Sequence, residues 1–419
     1  MLRLAYNLLW HVALPLLPLR LWWRGRKEPG YRESIGERIG RYGARPGGPF
    51  IWIHAVSLGE TRAAQPLVRA LRERYPDHTL LLTHMTATGR EAARSLYGEF
   101  AQLAFLPYDL PWAARRFVAH FRPQLGVIME TEIWPNLVRA CREADVPVLL
   151  ANARLSPKSA RGYAAVGSLA RAALDDIAAI GAQTATDAER LTALGAHAIE
   201  VTGNLKFDAT PPAETQSRAQ ALRALFGERP VFLAASTREG EEAVLLDALA
   251  RDPLPAGTLT VIVPRHPQRF DEVAALFASR GRAFARRSDG RPVPADCDLV
   301  LGDSLGEMSA YYAACDVAFV GGSLLPYGAQ NLIEACAEGA PVLIGPSTFN
   351  FAEAAAEAVR LRAAVQVADA GALVREAARL LSDAGARAWM GEAGEAFCAA
   401  HRGATARTMT IVERVIAGR

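Results

Sequence analysis

FIWIHAVSLGET, residues 50–61, reads as a short buried strand running straight into a helix. FIWIH is apolar enough for a strand covered on both faces. Ser57 and Gly59 break it, and Glu60 and Thr61 open a helical stretch reaching residue 74. The same rhythm continues outward. TLLLTH (79–84), LGVIM (125–129) and PVLLA (147–151) are further buried runs, with helical patterns such as 111–121 between them. Strands alternating with helices predict βαβ units and a parallel sheet. The pattern restarts with PVFLAAS (230–236), TLTVIVP (258–264), DVAFVGG (316–322) and PVLIG (341–345). Between the two series lies NLKFDATPPAETQS (204–217), polar and carrying a Pro-Pro pair, the expected linker.

The expected fold class is therefore α/β, with two doubly wound Rossmann-like domains over 28–210 and 211–419 behind an N-terminal segment 1–27. A chain of 419 residues exceeds what one core usually supports. With 51% hydrophobic and 22% charged residues it is globular rather than disordered. Open α/β sheets bind ligands at the carboxyl ends of their strands, so the site is expected in a central cleft faced by both domains. GxGxxG and the P-loop are both absent, which leaves a nicotinamide enzyme or an ATPase without support. Five scattered cysteines (Cys141, Cys297, Cys315, Cys336, Cys398) contain no CxxC pair; they read as reduced thiols and make a zinc site improbable.

A net charge of +3 is too small for a nucleic-acid binder, but its placement is informative. The first 46 residues hold nine Lys/Arg against three Glu, beside the most apolar stretch of the chain. Residues 4–19, LAYNLLWHVALPLLPL, carry no charge of either sign. Trp22, Trp23, Arg24, Arg26 and Lys27 follow closely. A spanning helix wants about 20 apolar residues, and this run is shorter and contains Pro15 and Pro18. Tryptophans belong at a membrane interface and Arg/Lys mark the cytoplasmic side. The segment therefore reads as a short anchor, monotopic or barely spanning; the alternative is a helix buried against the first domain or a partner.

Several segments place chemistry at strand ends. Glu60 reads either as a first-turn acid stabilised by the helix dipole or as a general base. GVIMETEIWPN (126–136) puts Glu130 and Glu132 after a strand, one expected to serve the site and one to be structural. In GNLKFD (203–208), Lys206 is either a solvated lysine or a charge neutralising a phosphate or carboxylate. STREGEE (236–242) offers an anion cradle at Ser236 and Thr237, or simply a helix start. VPRHPQRF (263–270) brings Arg265, His266 and Arg269 to a strand end, suited to a phosphate or sugar carboxylate; His266 reads as structural. GDSLGEM (302–308) and GGSLLPYGAQNLIEA (321–335) complete the second face. There Gly321 and Gly322 would allow close approach of a ligand, and Asn331 and Glu334 either hold a ribose diol or cap a helix.

Taken in order, RGRKEPGYRESIGERIG (24–40), HAVSLGET, LPYDLP (106–111), METEIWPN, NARLS (152–156), TGNLKFD, VPRHPQRF, GGSLLPYG and GPSTFNF (345–351) resemble the 3-deoxy-D-manno-octulosonic acid (Kdo) transferase family over almost the whole chain. The resemblance implies the two-domain glycosyltransferase architecture called GT-B, which two successive doubly wound domains also fit. It implies a CMP-Kdo donor, a lipid A precursor (lipid IVA) acceptor and inversion at the transferred anomeric carbon. Carried over by motif, Glu60 would accept the proton, and Glu130 and Lys206 would stabilise the transition state. CMP would be held by Pro264 and Arg265, by Leu305, Gly306 and Glu307, and by Asn331, Leu332, Ile333 and Glu334. The basic N-terminal region, including Glu37 and Arg38, would form the acceptor-side surface facing the cytoplasmic side of the inner membrane. Where the family often has a His-Asn-Pro-x-Glu-like run, this chain has Gln330-Asn331-Leu332-Ile333-Glu334, which argues against proton chemistry at residue 330.

The chemistry then calls for a base, a positive environment for the departing phosphate, and positioning as the larger share of the work. No Asp-x-Asp motif stands at a strand's end, so no metal and no cofactor are expected. Two other classes compete: a GT-B nucleotide-sugar epimerase with a soluble substrate, which the anchor argues against, and a non-catalytic lipid-binding subunit, which Glu60, Glu130, Lys206 and Arg265 argue against.

Overall fold

The computed structural model describes residues 2–26, 28–44 and 47–418; Lys27 of the expected basic cluster lies outside them. The chain forms two compact units, one from the residues up to Ala209 together with those from His401 on, the other from Thr210 to Ala400.

The first unit opens with a helical run, α1 (Leu2–Ala13), a 3-10 turn at Leu14–Leu16, and α2 (Leu17–Arg24). Pro15 and Pro18 fall in the first turns of the pieces they begin, where the missing N–H is harmless, so the run continues through them. Over its 23 residues it is long and apolar enough to cross a membrane, and little of it is buried. Leu4, Leu8, Val12, Leu16, Leu19 and Trp23 recur every three or four residues and are 63–74% exposed. Leu17 and Leu21 face the other way and are buried.

The body of this unit is a parallel sheet of β1 (Phe50–His54), β2 (Thr79–His84), β3 (Ala101–Phe105), β4 (Pro123–Met129), β5 (Val148–Ala153), β6 (Ala179–Ala182) and β7 (Ile199–Val201). Their order across the sheet is β3-β2-β1-β4-β5-β6-β7. The β1, β2, β4 and β5 positions are nearly all buried because helices cover both faces, as parallel sheets require. Among those helices are α3 (Leu58–Ala63), α4 (Gln65–Arg74), α5 (Ala87–Tyr97), α6 (Pro111–Phe121) and α7 (Pro135–Glu143). Gly126 on β4 makes room for Trp52 on β1: a Cβ there would lie 2.6 Å from the indole.

The second unit repeats the plan with β8 (Val231–Thr237), β9 (Leu259–Pro264), β10 (Ala285–Arg286), β11 (Leu299–Leu301), β12 (Val317–Val320), β13 (Val342–Ile344) and β14 (Ala364–Gln366), ordered β10-β11-β9-β8-β12-β13-β14. One expectation fails here. The sequence reading carried residues 401–419 with the second domain, but the closing helix Ala404–Ala417 buries Ala404, Ile411 and Val412 in the first sheet's core beside Leu67, Val68 and Leu71. An amphipathic helix goes where its apolar stripe is covered, which sequence position does not decide.

Candidate functional site

In the first sheet the strand order reverses between β1 and β4, and such a switch point opens a crevice at the carboxyl ends. The segments leaving those two strands carry Glu60 and Glu130. Ser57 caps α3, its hydroxyl accepting the Glu60 N–H, while the Glu60 carboxylate reaches back to the cap. Oε2 accepts the N–H of Ser57 at 3.2 Å and also that of Val56. Among the described residues no hydrogen bond goes to Oε1, which leaves that oxygen able to accept a proton. The first-turn acid reading and the base reading thus concern different oxygens of one carboxylate. Burial, then the charges of Glu130 and Glu132, push the Glu60 carboxyl up to about 8, despite the two amides that favour its ionised form.

Glu130 sits in the left-handed region at φ 58°, a strained setting for a residue with a side chain. Its N–H is tied to Ala151 O, and its Oε1 lies 3.3 Å from Lys206 Nζ. Lys206 is itself fixed by a chain of caps. Asn204 Oδ1 accepts the Lys206 N–H and Asn152 Oδ1 accepts that of Leu205, both at 3.0 Å. Asp208 accepts the N–H groups of Gly403 and Thr405, at 2.7 and 2.5 Å, and so pins the lysine loop to the closing helix. Phe207 stacks on His401 with ring centroids 4.9 Å apart. Burial raises the Glu132 carboxyl as well, and Glu130 adds to it. The structure brings Glu60, Glu130, Glu132 and Lys206 into one electrostatic group, three carboxyls against one ammonium.

His54 and His84 end β1 and β2 behind Glu60, both buried. Burial pushes them down to about 3 and about 4, so both are neutral at working pH. The His84 Nδ1–H donates to Ala55 O at 2.8 Å and that of His54 to Thr83 at 2.9–3.1 Å. They hold the strand ends that launch the Glu60 helix. The sequence reading gave neither a role.

In the second unit, Pro264 ends β9 and is buried, and Arg265 follows, half-buried, its Nε–H donating to Gln330 Oε1 at 3.1 Å. Gln330 therefore orients the arginine here. Leu305 is 71% exposed, Gly306 has φ 75°, and Glu307 accepts from Arg287 Nη2 at 3.1 Å. Glu334 Oε1 accepts from Ser309 Oγ at 3.5 Å. Asn331 precedes the helix Leu332–Ala337 without a side-chain capping bond. Leu332 and Ile333 are buried in the core, so only their backbone can serve a ligand.

Three expectations are corrected. The anion cradle after β8 is filled from within: buried Glu241 accepts the N–H groups of Arg238, Gly322 and Leu324 at 2.6–2.9 Å. Gly321 is needed against the chain itself, since a Cβ would meet Ser236 O and Thr237 Cα at 2.7 Å. Arg38 is not surface: it is 1% exposed, its guanidinium 3.8 Å above the Phe105 ring, while Glu37 pairs with Arg90 at 2.9 Å and accepts the Phe105 N–H at 2.7 Å. Among the described residues no three His, Cys, Asp or Glu side chains gather as a metal site.

Two parallel seven-stranded α/β units, the first with an acid cluster at its switch point, have the fold that GT-B glycosyltransferases share with nucleotide-sugar epimerases. Solved structures bear out the fold: a putative UDP-N-acetylglucosamine 2-epimerase from Listeria monocytogenes (15% identity, TM-score 0.59, 88% of this chain and 96% of that one) and a glycosyltransferase from Rickettsia africae ESF-5 (13%, TM-score 0.59, 88% and 99%). Residues 33–209 match the family described as 3-deoxy-D-manno-octulosonic-acid transferase. The 3-deoxy-D-manno-octulosonic acid transferase of Bordetella pertussis is 47% identical over 98% of both chains, and that of Haemophilus influenzae 36% over 98% of both. The chain belongs to the Kdo transferase family.

Proposed function

We propose that this protein transfers Kdo from CMP-Kdo to a lipid A precursor, lipid IVA, at the cytoplasmic face of the inner membrane, with inversion and with Glu60 as general base. The acceptor hydroxyl attacks the anomeric carbon and its proton passes to Glu60 Oε1. The bond from that carbon to the CMP phosphate oxygen breaks, and CMP leaves with the electron pair. Glu130, paired with Lys206, would stabilise charge in the oxocarbenium-like transition state. Pro264, Arg265, Leu305, Gly306, Glu307, Asn331 and Glu334, with the backbone of Leu332 and Ile333, would hold CMP. Arg265 would face its phosphate, held in place by Gln330.

The observation that carries this reading is the Glu60 carboxylate: one oxygen is fixed by two backbone amides and the acid sits close enough to neutrality to take a proton and return it. The exposed stripe from Leu4 to Trp23 supports a helix lying in a membrane interface. The test is mass spectrometry of lipid IVA incubated with CMP-Kdo and the protein. A mass gain of one or more Kdo units, absent without either substrate, is expected. An unmodified lipid with CMP-Kdo consumed would contradict the proposed acceptor.

A further inference from the structure

A helix that only tethers a protein to lipid needs an apolar outer face and no particular bonds to the body. The inner face of α1 is different. Arg3, Tyr6, Asn7 and Trp10, spaced for one helical face, are half-buried, as is Ala13 at its end. Two of them bond to residues 135 and 136, and a third to Asp109, which itself holds that stretch. The Tyr6 hydroxyl donates to Asp109 Oδ2 at 2.9 Å. Asn7 Oδ1 accepts from Asn136 Nδ2 at 2.8 Å, and Arg3 Nη2 donates to Pro135 O at 2.9 Å. Asp109 is 1% exposed, and its carboxylate also takes the N–H groups of Asn136 and Leu137, at 2.9 and 2.8 Å. One buried carboxylate thus joins α1 to the first turn of α7. That turn is the C-terminal end of the segment whose other end carries Glu130 and Glu132. Between the ends, Tyr163 OH holds Thr131 O at 2.9 Å. Glu130 keeps its strained φ of 58° only where such surroundings over-determine it.

We propose that α1 is a positioning element for the transfer, its Tyr6–Asp109–Asn136 latch fixing the Glu130–Leu137 segment that carries two of the site's three acids, Glu130 and Glu132. The helix that meets the lipid is thereby also the brace of the reacting groups, and Tyr6 and Asp109 are positioning residues. This inference rests on the functional reading above, and the experiment separates the two. Tyr6→Phe removes one hydroxyl. It is compared with Asp109→Asn and with a stripe variant, Leu4→Ser/Leu8→Ser/Val12→Ser. Amide hydrogen exchange over 130–137 is measured along with kcat and KM for CMP-Kdo on detergent-dispersed acceptor, and with vesicle binding.

For Tyr6→Phe and Asp109→Asn, faster exchange at 130–137 and a kcat about tenfold lower, with KM for the donor unchanged, are expected for one lost hydrogen bond to a buried carboxylate. The stripe variant should lose vesicles yet keep wild-type exchange and kcat in detergent. Unchanged exchange at 130–137 in Tyr6→Phe would overturn the latch. Faster exchange with wild-type kcat would overturn its role in transfer. If the wild type itself transferred nothing, the functional reading would fall and exchange alone would decide the latch.

Discussion

Lys206 Nζ lies 3.3 Å from Glu130 Oε1, and Glu130 is the larger of the two neighbouring charges that, after burial, raise the Glu60 carboxyl. Removing either partner should move Glu60 in opposite directions. Glu130→Gln deletes the larger of the two neighbouring charges that hold Glu60 protonated, so its titration should move acid of about 8. Lys206→Met leaves Glu130 uncompensated and should move it alkaline. The pH dependence of kcat/KM for each variant reads both shifts; equal shifts of one sign would refute the coupling. Both variants should also lose activity if the pair stabilises the transition state.

The wild-type profile follows from the same carboxyl. Only its ionised form accepts a proton, so kcat/KM should rise tenfold per pH unit on the acid limb and level off above about 8. Stability runs the other way. A folded-state value raised above the ordinary 4.5 contributes stability that is full below 4.5 and lost as pH rises through about 8. The melting temperature of Glu60→Gln relative to wild type should therefore climb between pH 5 and pH 9. A constant difference would contradict the raised value.

Asp208 ties the lysine loop to the closing helix through the N–H groups of Gly403 and Thr405. Asp208→Ala leaves both without that acceptor and should cost ~1–2 kcal/mol, as lost helix caps do. Denaturant unfolding measures it. Activity should fall as well, since Leu205 and Lys206 sit on the same loop.

Gly126→Ala places a methyl 2.6 Å from the Trp52 ring. Overpacking there should cost ~1–3 kcal/mol. Trp52 also donates to Thr83 Oγ1 at 2.7 Å and cannot easily swing aside. A melting temperature equal to wild type would contradict the close fit.

The strands were legible because buried parallel strands are written as apolar runs, and FIWIH and LGVIM fall where they were read. Glu60 was legible as a first-turn acid, and the Ser57-x-x-Glu60 spacing carried a further signal, the capping box, that the reading did not use. Asp109 was not legible. Its partners are 27, 28 and 103 residues away, and no local pattern announces a buried carboxylate shared by three donors. Arg38 misled because charged residues are usually solvated, whereas this one is enclosed by Phe105, Tyr31 and Met85 O. The closing helix misled for a related reason: only the tertiary fold decides which core covers its stripe.

In the proposed transfer Glu60 takes the acceptor's proton. The most direct test is acceptor-dependent CMP release from CMP-Kdo by Glu60→Gln, an isosteric change, with CMP binding measured in parallel. Wild-type CMP affinity, with turnover reduced by on the order of 10²–10⁴-fold, is expected. Turnover within a few-fold of wild type, with CMP still bound, would contradict it and pass the role to Glu130 or Glu132.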